Sequence, residues 1–227
     1  MTMTDIQRDL FAMQDEAYRD FHSKLVPTLD KQRIIGVRTP MLRRYARQLA
    51  SRDDCAAFLA DLPHRYYEEN NIHAWIIASS SRDIDTVLPL VDEFLPRIDN
   101  WATCDLFAPK IFSKHRHRVI EYIPRWLSSP HTYTVRFGIV TLLQFFLDEG
   151  FDPQHLDWVA DIDRDDYYIR IAAAWYFSIA LVKQWDATLP YIRERRLPEW
   201  IHRKTIQKAV ESYRIDAEHK TLLKNLR

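Results

Sequence analysis

Glycine occurs three times in 227 residues, and that scarcity closes off whole fold classes. Phosphate-cradling loops of dinucleotide and P-loop domains, and the tight turns of β-sandwiches, need positions that take positive φ without a Cβ penalty. A chain of helices needs few. Punctuation here comes from Pro, Ser and Asp, set between apolar residues spaced three and four apart. Ile120, Ile123, Pro124 and Leu127 run into Ser128-Ser129-Pro130, and Val135, Ile139, Leu142, Leu143 and Phe146 follow with the same beat. Leu156 to Ile162 predicts a further helix, Asp163-Arg164-Asp165-Asp166 a stop and N-cap, and Ile169 to Val182 the helix after it.

The helices repeat. Tyr133-Thr134-Val135-Arg136 overlays Tyr167-Tyr168-Ile169-Arg170 at an offset of about 34 residues. The same step back from Val135 reaches Trp101 and then Tyr67, and forward from Arg170 it reaches Arg203-Lys204. A period of this length fits antiparallel helix pairs stacked as a HEAT-like solenoid, and the tetratricopeptide signature is absent. The expected fold is therefore all-α, an α-α superhelix over residues 1–227 as a single domain, with the second helix of each pair lining a concave groove. Trp101 and Asp105, four apart, share one helix face, so an aromatic plate stands beside a carboxylate, a suitable trap for a cation. Arg136 and Trp175 recur in the same register, and all four are expected to line one groove.

Charge is balanced in total and uneven in place. Lys and Arg number 32 against 32 Asp and Glu, which excludes a uniformly basic nucleic-acid binder, and 47% hydrophobic residues exclude disorder. Between Lys31 and Ala50 stand Lys31, Arg33, Arg38, Arg43, Arg44 and Arg47 with no acid, and the C-terminal part carries Arg203, Lys204, Lys208 and Arg214. Acids pool between them, from Asp148 to Asp166. Two basic ends facing one groove suit the phosphates of a duplex; ordinary solvated helix faces explain the same charges equally well. Cys55 and Cys104 have no metal-ligand spacing, His115 and His117 in Lys114-His115-Arg116-His117-Arg118 point to different faces of a solvated basic turn, and Ser79-Ser80-Ser81 lacks a nucleophile elbow. With no signal peptide and no apolar run of membrane length, the expectation is a cytoplasmic monomer using no cofactor and no metal.

The stretch Asn100-Trp101-Ala102-Thr103-Cys104-Asp105 through Ala108-Pro109-Lys110, with Tyr122 to Leu127, Tyr133 to Arg136 and Ala174-Trp175, resembles the bacterial AlkD-like DNA alkylation repair family. Ile35-Gly36-Val37-Arg38-Thr39-Pro40, followed by Arg43-Arg44, is similar to that family's N-terminal segment. The resemblance implies a HEAT-like glycosylase that holds duplex DNA in an open basic groove and releases cationic N3- or N7-alkylated purines. It implies Asp105, Trp101, Trp175 and Arg136 as the catalytic set. Arg38, Arg43, Arg44, Arg47, Lys110, Arg170, Arg203, Lys204 and Lys208 are then expected to bind DNA. Ala102 stands where the family has an acid and Arg38 where it has a neutral amide. Two other readings stay open, a non-catalytic binder of branched or gapped DNA and a helical scaffold for other proteins. Residue by residue, core packing of the two tryptophans and a capping or bridging role for Asp105 are the structural alternatives.

Overall fold

The computed structural model describes residues 3–227, and every regular element among them is helical. The chain divides into two compact units, Met1–Ile111 and Phe112–Arg227. The first holds α1 (Asp5–Ala12), α2 (Glu16–Leu25), α3 (Thr39–Leu49), α4 (Cys55–Ala60), α5 (Tyr67–Ser79), α6 (Ile84–Phe94) and α7 (Trp101–Leu106). The second holds α8 (Arg116–Val119), α9 (Ile123–Leu127), α10 (Thr132–Phe145), α11 (Gln154–Ala160), α12 (Tyr167–Lys183), α13 (Trp185–Arg193), α14 (Glu199–Glu211) and α15 (Ala217–Asn225). This is an all-α fold of the α-α superhelical class.

In the second unit α10, α12 and α14 pack side by side as one layer. The shorter helices flank it: α9 on α10, α11 on α9 and α12, α13 on α12 and α15 on α14. A central helix in such a stack is covered on several sides, so its sequence reads apolar all round. In α10 every residue from Tyr133 to Leu143 is buried, Arg136 included. Gly138 has a packing reason: a Cβ there would stand 2.9 Å from Leu127 Cδ2 and 3.3 Å from Trp126 Cβ, so its absence lets α9 lie close. In the first unit α3, α5 and α7 form the equivalent row, with α6 against α5.

The repeat read from the sequence marks helix starts. Tyr67 and Trp101 open α5 and α7, Tyr133 lies in the first turn of α10, Tyr167 opens α12, and Arg203-Lys204 lie inside α14. Three local expectations are corrected. The segment from Ile120 to Leu127 is not one helix: α8 ends at Val119, and Pro124 sits in the first turn of α9, where its missing N–H costs nothing. Asp166 occupies the N-cap position of α12 but its carboxylate does not cap; it accepts from Thr132 Oγ1 at 2.7 Å and Arg164 Nε at 3.0 Å, tying α12 to the start of α10. The basic run from Lys114 to Arg118 is partly a staple, since Arg116 donates to Phe145 O at 2.6 Å and Ser113 O at 2.5 Å.

Candidate functional site

Helix α7 is short and cannot hold itself together, because isolated helices of this length do not repay nucleation. Buried polar contacts hold it. Asn100 caps it by accepting the Thr103 N–H at 2.8 Å, and its Nδ2 donates to Thr103 Oγ1 at 2.9 Å. The Thr103 hydroxyl in turn donates to Asn71 Oδ1 on α5 at 2.7 Å. This network orients Trp101 in the first helical position. The indole Nε1 donates to Leu25 O at 2.9 Å, and the ring packs against the cluster of Val26, Leu29, Ile34 and Tyr67 while remaining only half-buried. Asp105 follows one turn later, also half-buried, and Cys104 between them is buried in the core. Trp101 therefore packs against the core and keeps an accessible part at once.

The N-terminal basic segment is organised by a buried carboxylate. Glu68, 1% exposed, accepts from the backbone N–H groups of Ile35 at 2.9 Å, Gly36 at 2.7 Å and Val37 at 3.2 Å. Burial pushes its pKa up and the three donors pull it back, leaving it above the ordinary carboxylate value. Gly36 takes φ +96°, and a Cβ there would lie 2.6 Å from Arg19 Cβ and from Asp15 O. The turn delivers Arg38 to Asp15, with Nε and Nη2 both 2.8 Å from Oδ2, and across the Tyr18 ring. The Tyr18 backbone N–H and the Arg38 side chain hold Asp15 below its usual pKa. Helix α3 follows and presents Arg43, Arg44 and Arg47 to solvent. Lys110 is exposed beyond the end of α7.

In the second unit Arg136 is 5% exposed and donates through Nη1 to Tyr168 O at 2.8 Å, bracing the first turn of α12 from α10. Burial first, then the like charges of Lys204 and Arg136, lower the Lys208 pKa, while the Glu211 carboxylate acts against them. Trp175 is half-buried on α12, the neighbour of α10, two turns beyond Tyr168. Arg170 is half-buried, pairs with Asp165 at 2.6 Å and lies over the Trp200 ring at 5.0 Å. Arg203 is exposed on α14, 3.9 Å from Glu199.

Each predicted pair thus falls on one helix or on neighbours: Trp101 with Asp105 on α7 in the first unit, Arg136 with Trp175 on α10 and α12 in the second. Among the described residues no cluster of three metal-ligating side chains occurs and no helix is long and apolar enough to cross a membrane. Ser79 and Ser80 donate to the Trp75 and Ile77 carbonyls at 2.8 and 2.9 Å, so they close the end of α5. Sequence reading missed Glu68, Asn71 and Thr103. Glu68-Glu69-Asn70-Asn71 looks like a solvated face, and only its placement between apolar helices shows that it is buried.

No curated protein matches the chain significantly. The family model described as DNA alkylation repair enzyme matches residues 6–210, a span that takes in α7, the Glu68-bound turn, Arg136 and Lys208. That match agrees with the resemblance carried by the motifs around Trp101 and Asp105. The chain belongs to the DNA alkylation repair enzyme family, which gives it a role in DNA repair.

Proposed function

We propose that the protein is a monofunctional DNA glycosylase that hydrolyses the N-glycosidic bond of cationic N3- or N7-alkylated purines in duplex DNA. The observation that carries this reading is the pair on α7: a half-buried tryptophan and a half-buried carboxylate one turn apart, held by the Asn100–Thr103–Asn71 network. An alkylated purine of this kind already bears a positive charge. When the C1′–N bond breaks, its electron pair leaves with the base, neutralising it, and positive charge moves to the sugar as an oxocarbenium-like species. Water then adds to C1′ and loses a proton, leaving an abasic site. No proton need be delivered to the leaving base, so the protein supplies electrostatics and position.

Asp105 is the group assigned to that task. A carboxylate beside the sugar stabilises the developing charge and orients the water, and removing a preorganised partner of this type commonly costs about 2.7–4 kcal/mol in the barrier. Trp101 borders the cationic base, a contact contributing about 0.5–2 kcal/mol, and Trp175 on α12 is the second aromatic side chain that the family resemblance implies. Lys204 and Lys208, one turn apart on α14, supply positive charge suited to a backbone phosphate, and the buried Arg136 adds its charge from α10. Arg38, Arg44, Arg170 and Arg203 add backbone contacts that position the duplex and carry no sequence information.

The test is base release from duplex DNA containing N7-methylguanine, comparing the wild type with Asp105→Asn at low salt. Release by the wild type, with Asp105→Asn slowed a hundredfold or more at unchanged duplex affinity, is the expected result. No release above the spontaneous rate with duplex still retained sinks the glycosylase reading for this lesion and favours a binder of DNA structure.

A further inference from the structure

A cleft of about 500 Å³ opens in the first unit between α3, the C-terminal end of α5 and the segment after α7. Arg43, Arg47 and Lys110 stand on its walls, Trp75 forms part of its lining, Ala46 and Leu106 supply apolar surface, and no acidic side chain lines it. Arg43 and Arg47 are exposed and one helical turn apart, so both guanidinium groups face the same space. The Arg43 guanidinium lies over the Trp75 ring, 5.1 Å from its centroid. Trp75 is half-buried, its body packed on the core cluster that includes Leu42 and Ala46. The cleft lies toward the far end of α5 from Tyr67, the residue that packs near Trp101.

We propose that this cleft binds one unpaired nucleotide of a DNA strand, its phosphate held by Arg43, Arg47 and Lys110 and its base stacked at Trp75. Rim cations without an acid among the lining residues select an anion, and a flat aromatic side chain beside them selects a planar ring. The volume lies within the range of about 300–1,000 Å³ usual for small-molecule sites, room for one nucleotide and too little for a base pair with its backbones. Arg43 is long enough to swing from the indole face to a phosphate, leaving that face to a base. The assignment rests on the chain acting on DNA and adds a subsite away from Trp101 that recognises single-stranded or extruded nucleotides.

Fluorescence titration with a ten-nucleotide oligothymidine, a blunt duplex of the same length, dAMP and inorganic phosphate tests it. Expected are tryptophan quenching by the single strand and by dAMP, no such quenching in Trp75→Phe, and single-strand affinity at least tenfold weaker in Arg43→Ala/Arg47→Ala. Both arginines are exposed on α3, and alanine keeps the helix. Unchanged single-strand affinity in the double variant overturns the proposal, as does quenching that survives in Trp75→Phe. Competition by phosphate as strong as by dAMP overturns the base-stacking part, and retention of the duplex alone overturns the whole. Base release from the N7-methylguanine duplex is scored separately, so a failed cleft with intact release leaves the glycosylase reading standing.

Discussion

The hydroxyl of Thr103 donates to Asn71 Oδ1 at 2.7 Å, a buried link that holds α7 to α5. Through it the position of Trp101 and Asp105 depends on a side chain thirty-odd residues earlier, in the preceding repeat. Thr103→Val removes the hydroxyl, keeps the shape, takes the donor from Asn71 Oδ1 and leaves Asn100 Nδ2 only its bond to Asp99. A buried polar atom that loses its partner costs about 1–3 kcal/mol, so the urea midpoint should fall measurably, and base release should fall further than duplex affinity because α7 is loosened. An unchanged midpoint would show that the link is dispensable.

Gly36 and Glu68 make a second structural prediction. Gly36→Ala meets both the positive φ and two contacts at 2.6 Å from the added Cβ, so destabilisation well beyond about 1 kcal/mol is expected. Glu68→Leu leaves three backbone N–H groups buried without an acceptor and should be at least as damaging, with Glu68→Gln between it and the wild type. Thermal unfolding of the three variants orders them.

Acid sensitivity should come from a buried histidine pair. His64 Nε2 and His73 Nδ1 are 2.8 Å apart, and the rings stack on Phe58 and Phe94. Burial pushes the His64 pKa down to about 4 and, with the neighbouring His64 adding to the effect, that of His73 to about 3. A folded pKa below the unfolded value means that the unfolded chain takes up protons first. The stability is fully present above about pH 6.5 and is lost as pH falls toward the folded values. Between pH 7 and pH 5 the loss is about 2 kcal/mol per histidine. The variant His64→Phe/His73→Leu should show a flatter dependence over this window; a slope equal to the wild type would remove the pair as its source.

Salt dependence reports the phosphate contacts. Duplex affinity should fall steeply with ionic strength, and Lys208→Ala, which removes the cation one turn from Lys204 on α14, should reduce the logarithmic slope by about 0.9. A slope that does not change places Lys208 away from the DNA backbone.

What could be read from residues and what could not divides along physical lines. The scarcity of glycine and the three-and-four apolar spacing identify an all-helical chain, and the offset that joins Tyr67, Trp101 and Val135, and Tyr133 with Tyr167, marks the opening turns of four helices. Apolar periodicity is local and survives in one dimension. It failed where local signals compete: Pro124 lies in the first turn of a separate helix, α9, and Asp166 serves Thr132 and Arg164 rather than its own helix.

The motif around Trp101 and Asp105 and the family it belongs to are properties of the sequence alone, because residue type and spacing suffice to place two side chains on one helix face. Only the tertiary structure decided that Glu68 and Asn71 are interior, that Arg136 braces α12 from within α10, and that Arg43 lies over Trp75 beside a cleft. The physical reason is that a polar side chain's role depends on its burial and partners, and both come from elements remote in the chain. For Glu68 those partners are the backbone N–H groups of Ile35, Gly36 and Val37, which no pattern in its own neighbourhood announces.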